Sequence, residues 1–249
     1  MQAVSECGPP SRLYYLAETR AGPLLSVAAP PEVDPVNDSE PRTVETGEET
    51  FPLFPLGTVL LPGGLLPLQI FEPRYLDMVG RCMREGSPFG VVFIREGREA
   101  RSGAEDGAPH IARIGTRARI VDFNQLPNGL LGIVVRGEAR FRVLRTEEQA
   151  DHLLIGTVRP LPALPRLAVP DEYEALVEIL QQLLEHPTVA RLGIEVDWDD
   201  AASVAGRLTD LLPVIPGLKQ ALLELDDPVV QLAELERVVH AMREEAERD

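Results

Sequence analysis

The chain of 249 residues is long enough for one large domain or two small ones, and its 44% apolar and 26% charged residues are typical of a soluble protein. Its net charge of -16 argues against a general nucleic-acid binder, because phosphate contacts require a basic face. No apolar run reaches the roughly 18 residues that a membrane helix needs, and the N-terminus lacks a convincing secretion signal. A cytoplasmic protein without a membrane partner is therefore expected.

The charge is distributed unevenly along the chain. Residues 1–50 carry a net charge of -6, residues 51–169 of +3 and residues 170–249 of -13. Solvated faces explain much asymmetry of this kind, but the contrast between the middle and the C-terminal part also suggests two structural units. We expect an acidic, proline-rich tail over 1–50, a β-barrel domain over 51–165 and a helical bundle over 166–249.

The first 50 residues have the composition of a disordered segment. They contain seven prolines, and the run from Pro30 to Glu49 mixes Pro, Glu, Asp, Thr and Ser with little to bury. Because the globular pattern begins abruptly at Phe51, one hypothesis is that translation starts near Val44, without residues 1–43.

The pattern that begins at Phe51 predicts strands and one helix. Leu65 to Phe71 is typical of a strand, and Glu72-Pro73 then begins a helix, since proline suits the first helical position. Phe89 to Ile94 is predicted to be a buried strand. The helix ends at Gly86, and its predicted inward stripe is Tyr75, Leu76, Val79, Cys82 and Met83.

The next segment predicts a mainly antiparallel sheet. Arg95 to Pro109 has the glycine-rich, charged composition of a mobile loop, and Asn128-Gly129 is a strong hairpin turn because both residues tolerate positive φ. Alternating apolar residues mark strands over Ile111 to Phe123, Leu130 to Val135, Ala139 to Val143 and Leu153 to Val158. The alternation leaves Arg117, Arg119, Arg140 and Arg142 exposed. At least six strands with one helix between them favour a curled sheet or a barrel.

After Pro165 the apolar period becomes helical. Four amphipathic helices on short connections predict a small bundle. The first ends at Pro187, the second spans about Asp200 to Leu212, the third begins at Pro216 and the last follows the capping residue Asp227. The inward residues predicted for the four helices are Tyr173, Leu176, Val177, Leu180, Leu183, Leu184, Val204, Leu208, Leu211, Leu218, Leu222, Leu225, Val229, Leu232, Leu235, Val239 and Met242.

The sequence lacks the residue patterns that several kinds of catalysis require. Lys219 is the only lysine, Gln220 follows it and no glycine-rich loop precedes it, which excludes a phosphate-binding loop. The same lysine would have to serve a Ser–Lys protease, but no serine lies within two helical turns of it. The histidines and the two cysteines have no metal-ligand spacing, and the acidic run Asp197, Asp199 and Asp200 suits a helix N-terminus better than a calcium loop. We predict no enzymatic activity, no cofactor and no metal.

The segment from Phe51 to Val79 resembles the opening of the Lon N-terminal domain family. Its matching elements are Pro52-Leu53, Pro55-Leu56, the Val59 to Gly63 turn, and Pro67-Leu68 leading to Ile70-Phe71-Glu72-Pro73-Arg74-Tyr75. Later segments are also similar to that family, namely Ile114-Gly115-Thr116 with Ala118 to Ile120, Gly137 to Leu144, and Leu218 to Asp226. The resemblance spans roughly residues 51–245.

This resemblance implies both a fold and a role. The implied fold is of the α+β class, a PUA-like, mainly antiparallel β-barrel with one inserted helix, followed by a C-terminal α-helical bundle. The implied role is recognition of polypeptide segments or of another protein. The family's enzymes carry an ATPase and a Ser–Lys protease domain, and the chain ends at Asp249 with neither, so a non-catalytic module is expected. Phe71, Arg74 and Tyr75 are the predicted partner-binding residues.

Two alternatives remain open at this point. Maintenance of the fold explains the motif as well, because Arg74 can pair with a carboxylate or cap a carbonyl and Tyr75 can pack inward. The other alternative is an RNA- or nucleotide-binding PUA-like protein that uses the exposed arginines of its strands, although the acidic helical part would repel a polyanion. Those arginines are Arg117, Arg119, Arg140 and Arg142.

Overall fold

The computed structural model describes residues 47–97 and 109–248. The predicted tail therefore lies outside the described residues as far as position 46, and so does the predicted loop over residues 98–108. The strands are Glu49–Leu56 (β1), Leu65–Ile70 (β2), Phe89–Glu96 (β3), His110–Ile111 (β4), Ile114–Gln125 (β5), Leu131–Glu148 (β6) and Leu154–Pro160 (β7). The helices are Pro73–Glu85 (α1), Glu174–Glu185 (α2), Pro187–Ala190 (α3), Ala201–Leu211 (α4), Pro216–Glu224 (α5) and Pro228–Ala246 (α6), with a 3-10 turn at Asp171–Tyr173.

Five strands pair into a closed ring. β1 pairs with β7, β7 with β6, β6 with β5 and β5 with β3, all antiparallel, and a parallel pairing between β3 and β1 completes the circle. β2 pairs with the first part of β6 beside this ring, and α1 is inserted between β2 and β3. The expected mainly antiparallel sheet with additional helices is thus confirmed. β1 starts two residues before the predicted Phe51, and Arg95 and Glu96 belong to β3 rather than to a loop.

The middle of β6 lies against the connection between β1 and β2. The amide of Gly137 donates to the carbonyl of Gly64 at 2.9 Å, and the amide of Gly63 donates to the carbonyl of Gly137 at 2.8 Å. A Cβ atom at Gly137 would lie 2.1 Å from the carbonyl oxygen of Leu61, so only glycine permits this approach. The contact fixes the Leu61–Gly64 turn on the barrel wall.

Helix α1 packs its inner face on the barrel core. Pro73 occupies its first turn, and Gly86 ends it with φ 65°, in the left-handed region. Its buried residues are Tyr75, Met78, Val79 and Cys82. The predicted stripe is therefore wrong at Leu76 and Met83, which are each 39% exposed, and it omitted Met78. The spacing of three and four residues from Tyr75 leads through Met78 and Val79 to Cys82, and leaves Leu76 and Met83 on the flank.

The C-terminal part contains the predicted helices around their own core. The side chains of Asp200 and Asp227 accept hydrogen bonds from the amides of Ala202 and Val229, and so cap α4 and α6. Pro187 ends α2, as predicted, and also begins the short α3. The domain boundary near 165 stays a prediction. Within the described ranges no helix is both long and apolar enough to cross a bilayer.

Candidate functional site

The three residues predicted to bind a partner do not share one exposed surface. Phe71 is 57% exposed, whereas Tyr75 is 4% exposed because its ring stacks on that of Phe54 at a centroid distance of 4.1 Å. Arg74 donates from Nε to Glu72 at 2.9 Å and from Nη1 to the carbonyl of His152 at 2.7 Å. Arg74 and Tyr75 therefore hold the start of α1 on the barrel, and only Phe71 offers substantial surface to a partner. A binding role for these residues stays a prediction.

The arginines of β5 and β6 do not form one free basic surface. The Nη1 atom of Arg117 lies 2.9 Å from Oε2 of Glu49, and its Nε atom lies 3.6 Å from Oε2 of Glu138. Arg119 also forms an ion pair with Glu138. Arg142 is exposed. The prediction that Arg140 is exposed is wrong, because only 5% of this residue is accessible. The structure thus distributes these charges among local ion pairs and one buried position.

The buried Arg140 joins the barrel to the C-terminal end of α5. Its Nη1 donates to the carbonyl oxygens of Leu223 at 2.9 Å and Leu225 at 2.8 Å, and its Nη2 lies 2.9 Å from Asp226. Carbonyls in the last turn of a helix lack intrahelical donors, and the negative end of the helix dipole favours a cation there. The guanidinium satisfies both requirements from the opposite side of the junction.

Two further side chains cross the same junction. Arg207 of α4 donates to the carbonyl of Pro62 in the β1–β2 turn and pairs with Asp210 at 2.9 Å. Gln220 of α5 donates from Nε2 to the carbonyl of Ile114 in β5 at 2.9 Å. Side chains of the helical part therefore hold backbone carbonyls of the barrel and tie the two parts to each other.

A partly buried charged cluster lies beneath the β1–β2 turn. Burial raises the pKa of the Asp210 carboxyl to about 6, against the opposing effect of the cations Arg207 and Lys219. The ammonium of Lys219 donates to the backbone carbonyl of Asp210 at 3.0 Å, and burial lowers its pKa. A Cβ atom at Gly64 would lie 2.9 Å from the Asp210 carboxylate, so the turn covers this cluster closely.

Between these contacts the barrel and the helical part enclose a cleft of about 660 Å³. One wall is the β1–β2 turn and the middle of β6, the other is α4 with the segment before it, and the connection after β7 forms the floor. Backbone and aliphatic groups predominate on both walls. The lining residues are Leu61, Pro62, Gly63, Arg136, Glu138, Ala139, Arg140, Leu161, Pro162, Ala163, Leu164, Glu195, Val196, Asp197, Asp200, Ala202, Ser203, Gly206, Arg207, Thr209, Leu222, Leu223 and Gln231.

The side chains that line the cleft are apolar over most of its surface, with charged and hydroxyl-bearing groups among them. Two hydroxyl-bearing residues line the cleft: Ser203 accepts a hydrogen bond from the amide of Asp197 at 2.9 Å, and Thr209 donates one to the carbonyl of Ala205 at 2.7 Å. None of the histidines in the described ranges lines the cleft. Among the described residues, no group of three or more His, Cys, Asp and Glu side chains is arranged to hold a metal ion. What the cleft provides is concave apolar surface with a few charged groups.

Comparison with known proteins assigns the chain to a family. Residues 50–241 match the model of the ATP-dependent protease La (LON) substrate-binding domain. The chain belongs to this family. The Lon N-terminal domain protein from Xanthomonas campestris is similar, with 35% identity and a TM-score of 0.61, over 76% of this chain and 98% of that chain. The predicted family is thereby confirmed.

More distant Lon relatives show how far the likeness extends. The N-terminal domain of the Mycobacterium avium complex Lon protease shares the fold, with 19% identity and a TM-score of 0.52, over 75% of this chain and 96% of that chain. Lon protease 2 of Myxococcus xanthus is 33% identical over 106 residues, which are 42% of this chain and 12% of that protein. The region of Lon protease 2 that is similar to this chain is thus a small part of that protein's length.

Most residues of the cleft carried no sequence signal for it. The acidic run before α4 predicts a helix N-terminus but not a cleft, and Asp200 caps α4 as this pattern predicts. Arg207 and Gly206 lie on a helix whose pattern indicates only which face is apolar. The residues of the opposite, barrel wall come from distant parts of the sequence. Arg207, for example, donates a hydrogen bond to Pro62, which lies 145 positions earlier in the chain. Only a view of the folded chain brings these residues together.

Proposed function

We propose that this chain is a non-catalytic module that recognises polypeptide segments, and that the cleft between the barrel and the helical part is where they bind. The family model describes a substrate-binding domain of a protease, and the substrates of proteases are polypeptides. The proposal includes a PUA-like barrel, a cytoplasmic location and action without ATPase or protease activity of its own. Phe71, exposed at the start of α1, is a candidate second contact.

The observation that carries this proposal is the composition of the cleft. Its volume of about 660 Å³ lies in the range that is typical of ligand-binding pockets in proteins, and its walls are largely aliphatic. Apolar side chains of an extended segment would gain about 25 cal/mol for each Å² removed from water.

The hydrogen bonds between the two parts support the same proposal. Arg140, Arg207 and Gln220 each join the barrel to the helical part through buried or partly buried hydrogen bonds. A preformed site loses less conformational entropy when a ligand binds than a site that must be assembled. A cleft of this kind needs little rearrangement when a segment binds.

Nucleic-acid binding by the arginine-bearing strands has less support. Arg140 is buried at the junction, and Arg117 and Arg119 are neutralised by Glu49 and Glu138. The net charge of -16 further opposes approach to a polyanion. We therefore place recognition of polypeptides ahead of the alternative of RNA or nucleotide binding.

Two helix glycines provide a matched test of the cleft. Gly206 lines the cleft and Gly217 of α5 does not, and a Cβ atom at either position would meet nothing within 4 Å. Gly206→Leu should fill the cleft without straining α4, and Gly217→Leu should leave it open. We expect a fluorescently labelled, permanently unfolded protein to bind the natural chain and Gly217→Leu equally. Binding to Gly206→Leu should be weaker by at least about tenfold, measured by anisotropy.

Two results would contradict this proposal. One is the absence of binding to the unfolded protein under conditions where a labelled single-stranded RNA does bind. The other is unchanged affinity of Gly206→Leu, with circular dichroism showing that the variant is folded. The second result would remove the cleft from the proposal even if the chain does bind polypeptides.

A further inference from the structure

The charged side chains of the cleft fall into two groups. Four of them are neutralised by partners, and the pairs are Glu138 with Arg119, Asp197 with Arg166, Arg140 with Asp226, and Arg207 with Asp210. The other three are Glu195, Asp200 and Arg136, and none of them has an ion-pair partner among the described residues. These three charges are available to a ligand.

The unpaired charges are separated by sign. Glu195 and Asp200 belong to the wall formed by the helical part, and Arg136 belongs to β6 on the barrel wall. Asp200 uses one carboxylate oxygen to cap α4 through the amide of Ala202, and its second oxygen has no hydrogen-bond partner in the described part of the chain. The helical wall thus presents two carboxylates to the cleft, and the barrel wall presents one guanidinium.

We infer that the cleft selects polypeptide segments in which a basic residue lies next to an apolar one. This inference rests on the proposed function and adds the chemical class of the segment. The apolar side chain would occupy the aliphatic centre between Leu61 and Leu223, and the basic side chain would pair with Glu195 and Asp200. The guanidinium of Arg136 would face the opposite side of the segment, where backbone carbonyls or an acidic side chain complement it.

The charge of the surrounding surface favours the same class of segment. Residues 170–249 carry a net charge of -13, and residues 51–169 carry +3. Asp200 is half-buried, so water screens an ion pair with it less than one on an open surface, whereas Glu195 is exposed and adds mainly to the field. The field of the helical part therefore attracts a cationic segment toward the wall that holds the two free carboxylates.

Three labelled, unstructured peptides test this inference on the chain of 249 residues. They share one central apolar sequence and differ only in the two flanking residues, which are Arg, Gln or Glu. We expect the Arg peptide to bind more tightly than the Gln peptide by roughly threefold to tenfold at low salt, and the Glu peptide more weakly than both. High salt should reduce these differences but should not abolish binding of the Gln peptide, which depends on apolar contact.

Variants assign the preference to the two carboxylates. Glu195→Gln with Asp200→Asn keeps the cap of α4, because asparagine also caps helices, and should remove the preference for the Arg peptide. The matched control is Glu178→Gln with Glu185→Gln, which makes the same change of charge at exposed positions of α2 outside the cleft. Glu195→Arg should invert the order, so that the Glu peptide binds more tightly than the Gln peptide.

The outcomes separate this inference from the proposed function. Equal binding of the three peptides, each weakened by Gly206→Leu, would overturn the charge preference and keep the cleft as a polypeptide site. An Arg preference that persists in Glu195→Gln with Asp200→Asn, or that is lost equally in the α2 control, would also overturn it. Absence of binding of all three peptides would overturn the proposed function itself.

Discussion

The Nη1 atom of Arg140, in the middle of β6, donates a hydrogen bond to the carbonyl oxygen of Leu223, in the last turn of α5, at 2.9 Å. This contact is buried, and it links residues 83 positions apart. It shows that one strand of the barrel completes the hydrogen bonding of a helix end in the C-terminal part. The fold and the cleft therefore depend on the same arginine.

Replacement of this arginine should destabilise the protein. Arg140→Ala leaves the carbonyl of Leu223 without its side-chain donor and that of Leu225 with only the 3.4 Å hydrogen bond from Gln231, so we expect the free energy of unfolding to fall by roughly 3 kcal/mol. Arg142→Ala removes the same side chain from an exposed position of the same strand and should cost less than about 0.5 kcal/mol. Urea denaturation measures both, and equal losses would contradict a special role for Arg140.

Asp210, whose side chain is half-buried, should give the free energy of unfolding a specific pH dependence. Burial raises its pKa in the folded state from 3.8 to about 6, so the folded protein holds this proton more tightly than the unfolded chain does. The contribution is therefore fully present below pH 3.8 and is lost as pH rises toward 6. Since the side chain is 23% exposed, the loss should be about 2 kcal/mol.

Asp210→Asn isolates this contribution from those of the other carboxylates, because an amide does not titrate. The difference in unfolding free energy between Asp210→Asn and the natural chain should grow in favour of the variant between about pH 4 and pH 6, and stay constant above. Urea denaturation across this window provides the measurement. A difference that is independent of pH would show that Asp210 titrates alike in the folded and unfolded states.

The close approach at Gly137 gives a third prediction. Gly137→Ala places a Cβ atom 2.1 Å from the carbonyl oxygen of Leu61, so the β1–β2 turn must move away from β6. We expect a loss of at least about 3 kcal/mol in the free energy of unfolding. Gly206→Ala has open space in a helix and should instead gain up to about 1 kcal/mol. If both variants were equally stable, the contact between the turn and β6 would be looser than the structure indicates.

Features coded by neighbouring residues could be predicted from the sequence of this Lon domain. Pro73 and Gly86 mark the two ends of α1, and Asp200 and Asp227 cap their helices, because each signal acts within one helical turn. The strand pattern was sufficient to predict a mainly antiparallel sheet. It did not predict the parallel pairing of β1 with β3, which closes the ring, since alternation does not specify a partner.

The cleft and the burial of Arg140 were beyond prediction for a physical reason. In β6 the apolar residues Phe141 and Val143 alternate with Arg140 and Arg142, so alternation assigns both arginines to the solvent side. What buries Arg140 is the end of α5, which lies much later in the chain. The exposed charge on Arg142 and the buried one on Arg140 have identical local patterns, and only the tertiary contact distinguishes them.

Substitutions of Phe71 and Tyr75 distinguish a binding role of the Lon-like motif from a structural one. Tyr75→Ala removes a buried ring that stacks on Phe54, and should lower the free energy of unfolding by about 3 to 5 kcal/mol. Phe71→Ala removes a ring that is 57% exposed and should change it by less than about 1 kcal/mol. If Phe71 extends the polypeptide site, this second variant should weaken binding of the unfolded protein while its unfolding curve stays unchanged. Unaltered affinity of Phe71→Ala would assign the motif to maintenance of the fold, and would leave the cleft as the binding surface to be examined.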